Sequence, residues 1–296
     1  MTRFATTRAT LGAVLALACA LVAACGRGEP APATHTGAVP DQPRIAVLSP
    51  AIAIMLVDLG AEGAIVGRHA FDLVLREGVQ VVGDQAGIDY EALLRVEPTH
   101  VVIERGAGER PPRLNDLAAR RDWTVLDYPM LTLQDIRHAL AALPADLALS
   151  GGAAARRDAL LAAMDASWSP RSGFGAATGR ALLLYSTEPL GAAGPRSFHA
   201  ELLEALGGEN AIAAGAPYIA LDTEDVRRLD PDSVFLIIPS ADPARLDDLL
   251  RPLRRAGLRA VAEGRVALIH HPHAQTPSTA MIDVAEEIAA AARQWE

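Results

Sequence analysis

The chain has 296 residues, 50% hydrophobic and only 4% aromatic, so it can bury a large core and must build it from Ala, Leu, Val and Ile. All 27 basic residues are arginine, against 36 acids, for a net charge of −9. That acidic balance, without a clustered basic face, excludes a nucleic-acid footprint.

The first residues read as a targeting segment. Arg3 and Arg8 precede an unbroken small and apolar run from Leu11 to Leu21, too short for a membrane span of roughly 20 residues. The run ends in Val22-Ala23-Ala24-Cys25, which resembles the lipobox of bacterial lipoproteins. The resemblance implies cleavage before Cys25, diacylation of its sulfur and attachment to a membrane through that lipid. Residues 1–24 are then a signal peptide, and residues 25–43, rich in Pro, Ala and Gly, a flexible tether. Cys19 and Cys25 are the only cysteines, so the mature chain has no internal disulfide, thiolate metal cluster or Cys nucleophile.

After the tether, strand-like runs alternate with amphipathic segments. Arg44–Leu48 reads as a strand, and Ser49-Pro50 opens a helix carrying Ile52, Met55, Leu56 and Leu59 at helical spacing, ended by Gly60. Strands follow at 64–68 and 79–82, a short helix at 91–96, a strand at 101–104, a helix at 114–120, a strand at 124–128 and a helix at 133–143. A longer helix, starting somewhere between Leu147 and Ala153, runs to Ser167, and Trp168 to Gly179 reads as loop. Alternation then resumes with a strand at 181–186, helices at 198–206 and from Glu224, a strand at 233–238, a helix at 243–256 and a strand at 265–270. The last helix spans 278–295, with Ser278 as its expected N-cap. This order predicts an α/β fold of two lobes, 44–145 and 178–296, with largely parallel sheets, connected by the helix and loop of 146–177.

A repeat supports two similar lobes. Ile88 to Ile103 and Leu221 to Leu236 align at a constant offset, pairing Asp89 with Asp222, Glu91 with Glu224, Arg95 with Arg228, Pro98 with Pro231 and Val101 with Val234. Each copy places an acid at the start of a short helix.

Together these features resemble the cobalamin and ferric-siderophore binding proteins of ABC importers, the helical-backbone class of periplasmic solute receptors. In the first lobe the likeness rests on Arg44-Ile45-Ala46-Val47-Leu48-Ser49-Pro50, Leu59-Gly60, Ile65-Val66-Gly67-Arg68 and Val82-Gly83 through Pro98. In the second it rests on Ser197 through Asn210 and Glu224 to Pro231. The resemblance implies two Rossmann-like lobes joined by a single long backbone helix, with a ligand cleft between them. It implies no enzymatic activity and no resident cofactor; the cargo would be a small metal chelate carrying iron or cobalt, that is, a siderophore, cobalamin or haem. It also gives Glu91 and Glu224 a partner, a permease dimer with its ATPase, whose arginine pockets would receive one carboxylate from each lobe. Two solvated, helix-stabilising acids are the plainer reading of the same pair.

Ligand sites in open α/β sheets lie beyond the carboxyl ends of the strands. There the first lobe offers Arg68, His69, Phe71, Arg105 and Tyr128, and the second offers Tyr185, Arg196, Phe198, Tyr218, His271 and His273. Three of the eight histidines fall within residues 270–273. Imidazole binds transition metals and haem iron, so His69 with His271 or His273 is a candidate metal or axial-ligand set across the cleft; Asp72 and Glu104 would be its only nearby acids. Solvated loop histidines, surface arginines and core aromatics are the plainer readings. A sensory or scaffold lipoprotein on the same fold is an alternative. A hydrolase is disfavoured, because the sequence has no G-x-S-x-G elbow, H-E-x-x-H pair or phosphate-binding glycine loop.

Overall fold

The computed structural model describes residues 42–105, 110–239 and 241–295. The signal peptide, Cys25 and nearly all of the tether lie outside them. Two six-stranded sheets organise the chain. The first contains β1 (Ile45–Val47), β2 (Ile65–His69), β3 (Gln80–Asp84), β4 (Gly87–Ile88), β5 (His100–Arg105) and β6 (Thr124–Pro129), in the order β4-β3-β2-β1-β5-β6. Only the β3–β4 hairpin is antiparallel. The second contains β7 (Arg180–Thr187), β8 (Leu190–Ala193), β9 (Glu209–Asn210), β10 (Tyr218–Ala220), β11 (Ser233–Ile237) and β12 (Val266–Ile269), in the order β10-β8-β7-β11-β12 with β9 on β7. Its β7, β11 and β12 run parallel, whereas β8 is antiparallel to both β7 and β10.

Local chemistry explains the element ends. The helix Pro50–Asp58 starts where Ser49 Oγ accepts from the Ile52 N–H at 3.2 Å, with Pro50 at its first position. It ends in a Schellman turn. Gly60 takes φ +76°, its N–H reaches the Val57 carbonyl at 2.9 Å, and the Ala61 N–H reaches Leu56 at 2.8 Å. The two repeat helices, Tyr90–Val96 and Thr223–Leu229, are each N-capped by the aligned aspartate. Asp89 Oδ1 accepts from Glu91 and Ala92, and Asp222 Oδ1 accepts from Asp225 at 2.7 Å. Each helix is followed by Pro98 or Pro231 and then by a central strand, β5 or β11.

The backbone helix, Ala153–Ser167, begins at the late end of its expected range, because Ala148, Gly151 and Gly152 all have positive φ and turn the chain between it and the preceding helix, Leu133–Asp146. Three other segments differ from the expectation. The expected loop at 168–179 contains a short helix, Phe174–Thr178. The 243–256 segment breaks into a 3-10 turn and two short helices, Leu246–Leu249 and Arg251–Ala256; Pro252 has no N–H to carry one helix through. The last helix is Met281–Ala292. Ser278 does not cap it: this buried side chain donates to the Thr276 carbonyl at 3.2 Å, inside the turn before the helix.

One apolar cluster spans the inner faces of both sheets and the helices between them, including Ile45, Leu56, Leu140, Met164, Phe235 and Ile288. Smaller clusters cover the outer face of each sheet. Polar links cross between the lobes: Thr279 Oγ1 donates to the Asp58 carboxylate and the Leu133 N–H to Glu201 Oε2 at 2.8 Å; Trp168, at the end of the backbone helix, donates from Nε1 to the Met281 carbonyl of the second lobe at 3.1 Å. The lobes are thus fastened along the backbone-helix side.

Candidate functional site

The carboxyl ends of β1, β2 and β5 bring together Ser49, His69 and Glu104. Ser49 Oγ donates to Glu104 Oε2 at 2.8 Å while accepting from the Ile52 N–H, so the helix cap also fixes the carboxylate. Glu104 is solvent-exposed, yet enough protein crowds it that burial raises its carboxyl above the usual range. The Ser49 hydrogen bond and nearby His69 oppose that shift. His69 Nδ1 accepts from the Phe71 N–H at 3.2 Å, which turns the ring along its own loop. Phe71, 56% exposed, sits with its ring 5.7 Å from that of His69, and Leu73 is 74% exposed. The buried Asp72 shapes this rim by accepting from the Val74 and Leu75 N–H groups at 3.0 and 2.8 Å.

The second sheet contributes Tyr185 from β7 and Tyr218 from β10, packed edge to face at 5.7 Å. Gly191 on β8 makes room for the Tyr185 ring; a Cβ there would come within 2.6 Å of it. The Tyr218 phenol is raised above its ordinary range, first by burial and then by the charges of Glu104 and Tyr185.

The other expected site residues are placed differently. Phe198 is a core residue, 2% exposed, stacked on His199 at 4.0 Å and 6.5 Å from Tyr218. Arg68 turns back to the carbonyls of Val79 and His69, at 3.2 and 3.3 Å. Arg196 is exposed and reaches the Gly215 carbonyl at 3.5 Å. The Tyr128 hydroxyl donates to Asp146 Oδ2 at 2.7 Å, and burial together with that carboxylate pushes the phenol up. The Arg105 side chain lies outside the described residues, although its backbone pairs with Pro129.

His271 and His273 line a cavity of about 450 Å³ with Ile54, Asp58, Leu160 and Thr279, bounded by the first helix, the backbone helix and the last helix. His271 Nδ1 accepts from the His273 N–H at 3.2 Å, and its Nε2 lies 3.9 Å from Asp283. Burial and His271 lower the His273 pKa, against Asp72 and Asp58. His69 and His271 each spend Nδ1 on the N–H two residues on, which turns each ring along its own loop. Among the described residues no three His, Cys, Asp or Glu side chains are placed to hold a metal ion, so His69, His271 and His273 do not assemble a three-ligand centre.

The sequence reading passed over His199. It is fully buried; Nε2 donates to the Ala274 carbonyl at 2.8 Å, and burial lowers its pKa to about 4. Its spacing to Leu202 and Leu203 on one helix face was the available signal. Gln275 completes the support of this loop by donating to the carbonyls of Tyr185 and Ile237, at 2.8 and 2.7 Å. On the helices of the repeat, Glu91 and Glu224 are both exposed in the first turn, with Arg227 lying 3.4 Å from Glu224.

Solved structures with this architecture are known. The chain superposes on the periplasmic vitamin B12 binding protein BtuF of Vibrio cholerae with a TM-score of 0.66, at 18% identity over 86% of this chain and 97% of that one. A periplasmic heme binding protein from Pseudomonas aeruginosa gives 0.67, at 20% identity over 86% and 92%. The ABC-type Fe3+-hydroxamate transport system protein from Saccharomonospora viridis gives 0.63, at 20% identity over 84% and 93%. The chain has the fold of the helical-backbone periplasmic substrate-binding proteins. No family model and no curated protein matches its sequence. His271 and His273 lie toward the backbone helix, in the cavity that Leu160 and Ala163 also line.

Proposed function

We propose that this protein is an extracytoplasmic solute receptor, anchored by lipid at Cys25, that captures an iron chelate, cobalamin or haem and delivers it to an ABC importer. The observation that carries the reading is that receptor fold, which also holds a polar pair, Ser49–Glu104, at the carboxyl ends of the first sheet and an aromatic pair, Tyr185–Tyr218, on the second. The solved proteins it resembles are named for binding vitamin B12, heme and Fe3+-hydroxamate. Glu91 and Glu224 are the proposed contacts to the permease dimer: each is an exposed carboxylate on a short helix whose cap and stop recur in the other lobe. The protein carries cargo and catalyses no reaction on it, and any iron or cobalt belongs to the cargo.

Native mass spectrometry and metal analysis of the protein purified from its own membranes test this. One iron- or cobalt-bearing ligand per chain is expected, with quenching of tryptophan fluorescence when that ligand is returned to stripped protein. Absence of any bound chelate, together with no fluorescence response to ferric siderophores, cobalamin or haem, would remove the receptor reading.

A further inference from the structure

The cavity against the backbone helix has no part in the receptor reading, and its walls come from three parts of the chain. Ile54 and Asp58 belong to the first helix, Leu160 and Ala163 to the backbone helix, and His271, His273 and Asp283 to the end of the second lobe. At about 450 Å³ it has the size of a small-molecule site, and its lining mixes apolar surface with a few polar groups. Those polar groups are mostly unspent acceptors. Thr279 commits its hydroxyl to one oxygen of Asp58. The other Asp58 oxygen, both oxygens of Asp283 and both ring nitrogens of His273 make no hydrogen bond to a described residue. His271 Nε2 stands 3.9 Å from Asp283, beyond direct hydrogen-bond distance. Among the described residues no arginine lines the cavity. The arginines nearest in sequence are engaged elsewhere: Arg156 donates to the Gly151 carbonyl at 2.9 Å, Arg157 to Asp158 at 2.7 Å and Arg76 to Glu62 at 2.9 Å. Above the ordinary imidazole range the lining therefore holds two carboxylates and no cation.

From this arrangement we infer a second binding site, between the lobes, for a small amphipathic amine: its apolar body packs against Ile54, Leu160 and Ala163, and its ammonium donates to Asp58, Asp283 and the histidine loop. The inference goes beyond the receptor reading and does not depend on it. An ammonium brings three donors and no acceptor, which matches the unspent groups; a carboxylate would add a further negative charge and leave them unpaired. Both acids are exposed, so charge contributes a modest factor in affinity and burial of the apolar body supplies the rest. A ligand that touches both lobes and the helix also stabilises their mutual arrangement in proportion to its occupancy.

The test uses the mature chain without cargo and compares 2-phenylethylamine, 2-phenylethanol and 3-phenylpropionate by calorimetric titration at about pH 7.5, above the ordinary imidazole range. The amine is expected to bind about threefold more tightly than the alcohol and about tenfold more tightly than the carboxylate. It should also raise the melting temperature and move the ring NMR signals of His271 and His273 while leaving those of buried His199 in place. Ala163→Leu, which fills the cavity, should weaken the amine about tenfold or more. The double change Asp58→Asn with Asp283→Asn keeps the side-chain shapes and should bring amine and alcohol to equal affinity. No saturable amine binding, equal binding of amine and carboxylate, or unmoved His271 and His273 signals overturns the site. Should Ala163→Leu fail to fold, the asparagine pair decides through the amine-to-alcohol ratio, and an unchanged ratio overturns the site as well. Each of these outcomes leaves the receptor reading as it stands, because no cargo enters the experiment.

Discussion

Glu97 and Asp230, aligned in the repeat, both end their helices in the left-handed backbone region, at φ 43° and 36°. Neither is a glycine, so both carry the roughly 1–2 kcal/mol steric cost of that conformation. The fold tolerates it because each residue turns its chain through a proline into a central strand. Replacing either with glycine is expected to raise stability by about 0.5–1 kcal/mol in urea unfolding. Removing the N-caps should do the reverse: Asp89→Ala and Asp222→Ala are each expected to cost about 1 kcal/mol. Equal effects at the two copies would establish the repeat as a folding unit.

The docking proposed for the same helices can be tested apart from folding. Glu91 and Glu224 are exposed and contribute little to the core. The double charge reversal Glu91→Arg with Glu224→Arg is therefore expected to leave cargo affinity and melting temperature nearly unchanged while abolishing stimulation of the importer's ATPase in proteoliposomes. Lost affinity would place these carboxylates in the cargo site instead.

Gly191 sets the position of Tyr185. A methyl group there would lie 2.6 Å from the ring, well inside van der Waals contact. Gly191→Ala is expected to push Tyr185 off Tyr218, costing about 1–3 kcal/mol as overpacking does and weakening cargo binding. Near-ultraviolet circular dichroism would report the altered tyrosine packing. An unchanged spectrum with unchanged affinity would detach this ring pair from the site.

His199 predicts an acid-sensitive core. Burial depresses its pKa from 6.5 to about 4, so the folded state keeps the ring neutral where the unfolded chain protonates it. The unfolded state then binds more protons. Stability from this group is intact above pH 6.5, falls as pH drops toward 4, and changes no further below that. The loss reaches about 3 kcal/mol. Guanidinium unfolding from pH 7.5 to 4.5 should show the decline in the wild type and a shallower one in His199→Gln. Parallel curves would assign the acid sensitivity to other groups.

Much of the backbone is legible in the sequence. Strands β1, β2, β5, β6, β7 and β11 lie within a residue or two of their predicted ends, because runs of Val, Ile and Leu bounded by Gly and Pro leave few alternatives. Strands β4, β8, β9 and β10 were not legible: two to four residues carry too little periodicity, and their strand character comes from the neighbour they pair with. Tyr218, read as a strand-end residue, is the first residue of one of these strands, β10.

Sequence by itself determined the caps and stops of the repeat helices, the alternation of strand and helix, and which residues stand at strand ends. These follow from interactions spanning a few residues, such as an aspartate accepting from the N–H two or three positions on. Only the tertiary structure decided where the long side chains turn. Tyr128 swings to Asp146, Arg68 to Val79, and His271 and His273 to a cavity against the backbone helix. The physical reason is that a strand end fixes a Cα position but leaves several rotamers open. The choice among them belongs to partners and buried surfaces brought near by other parts of the chain.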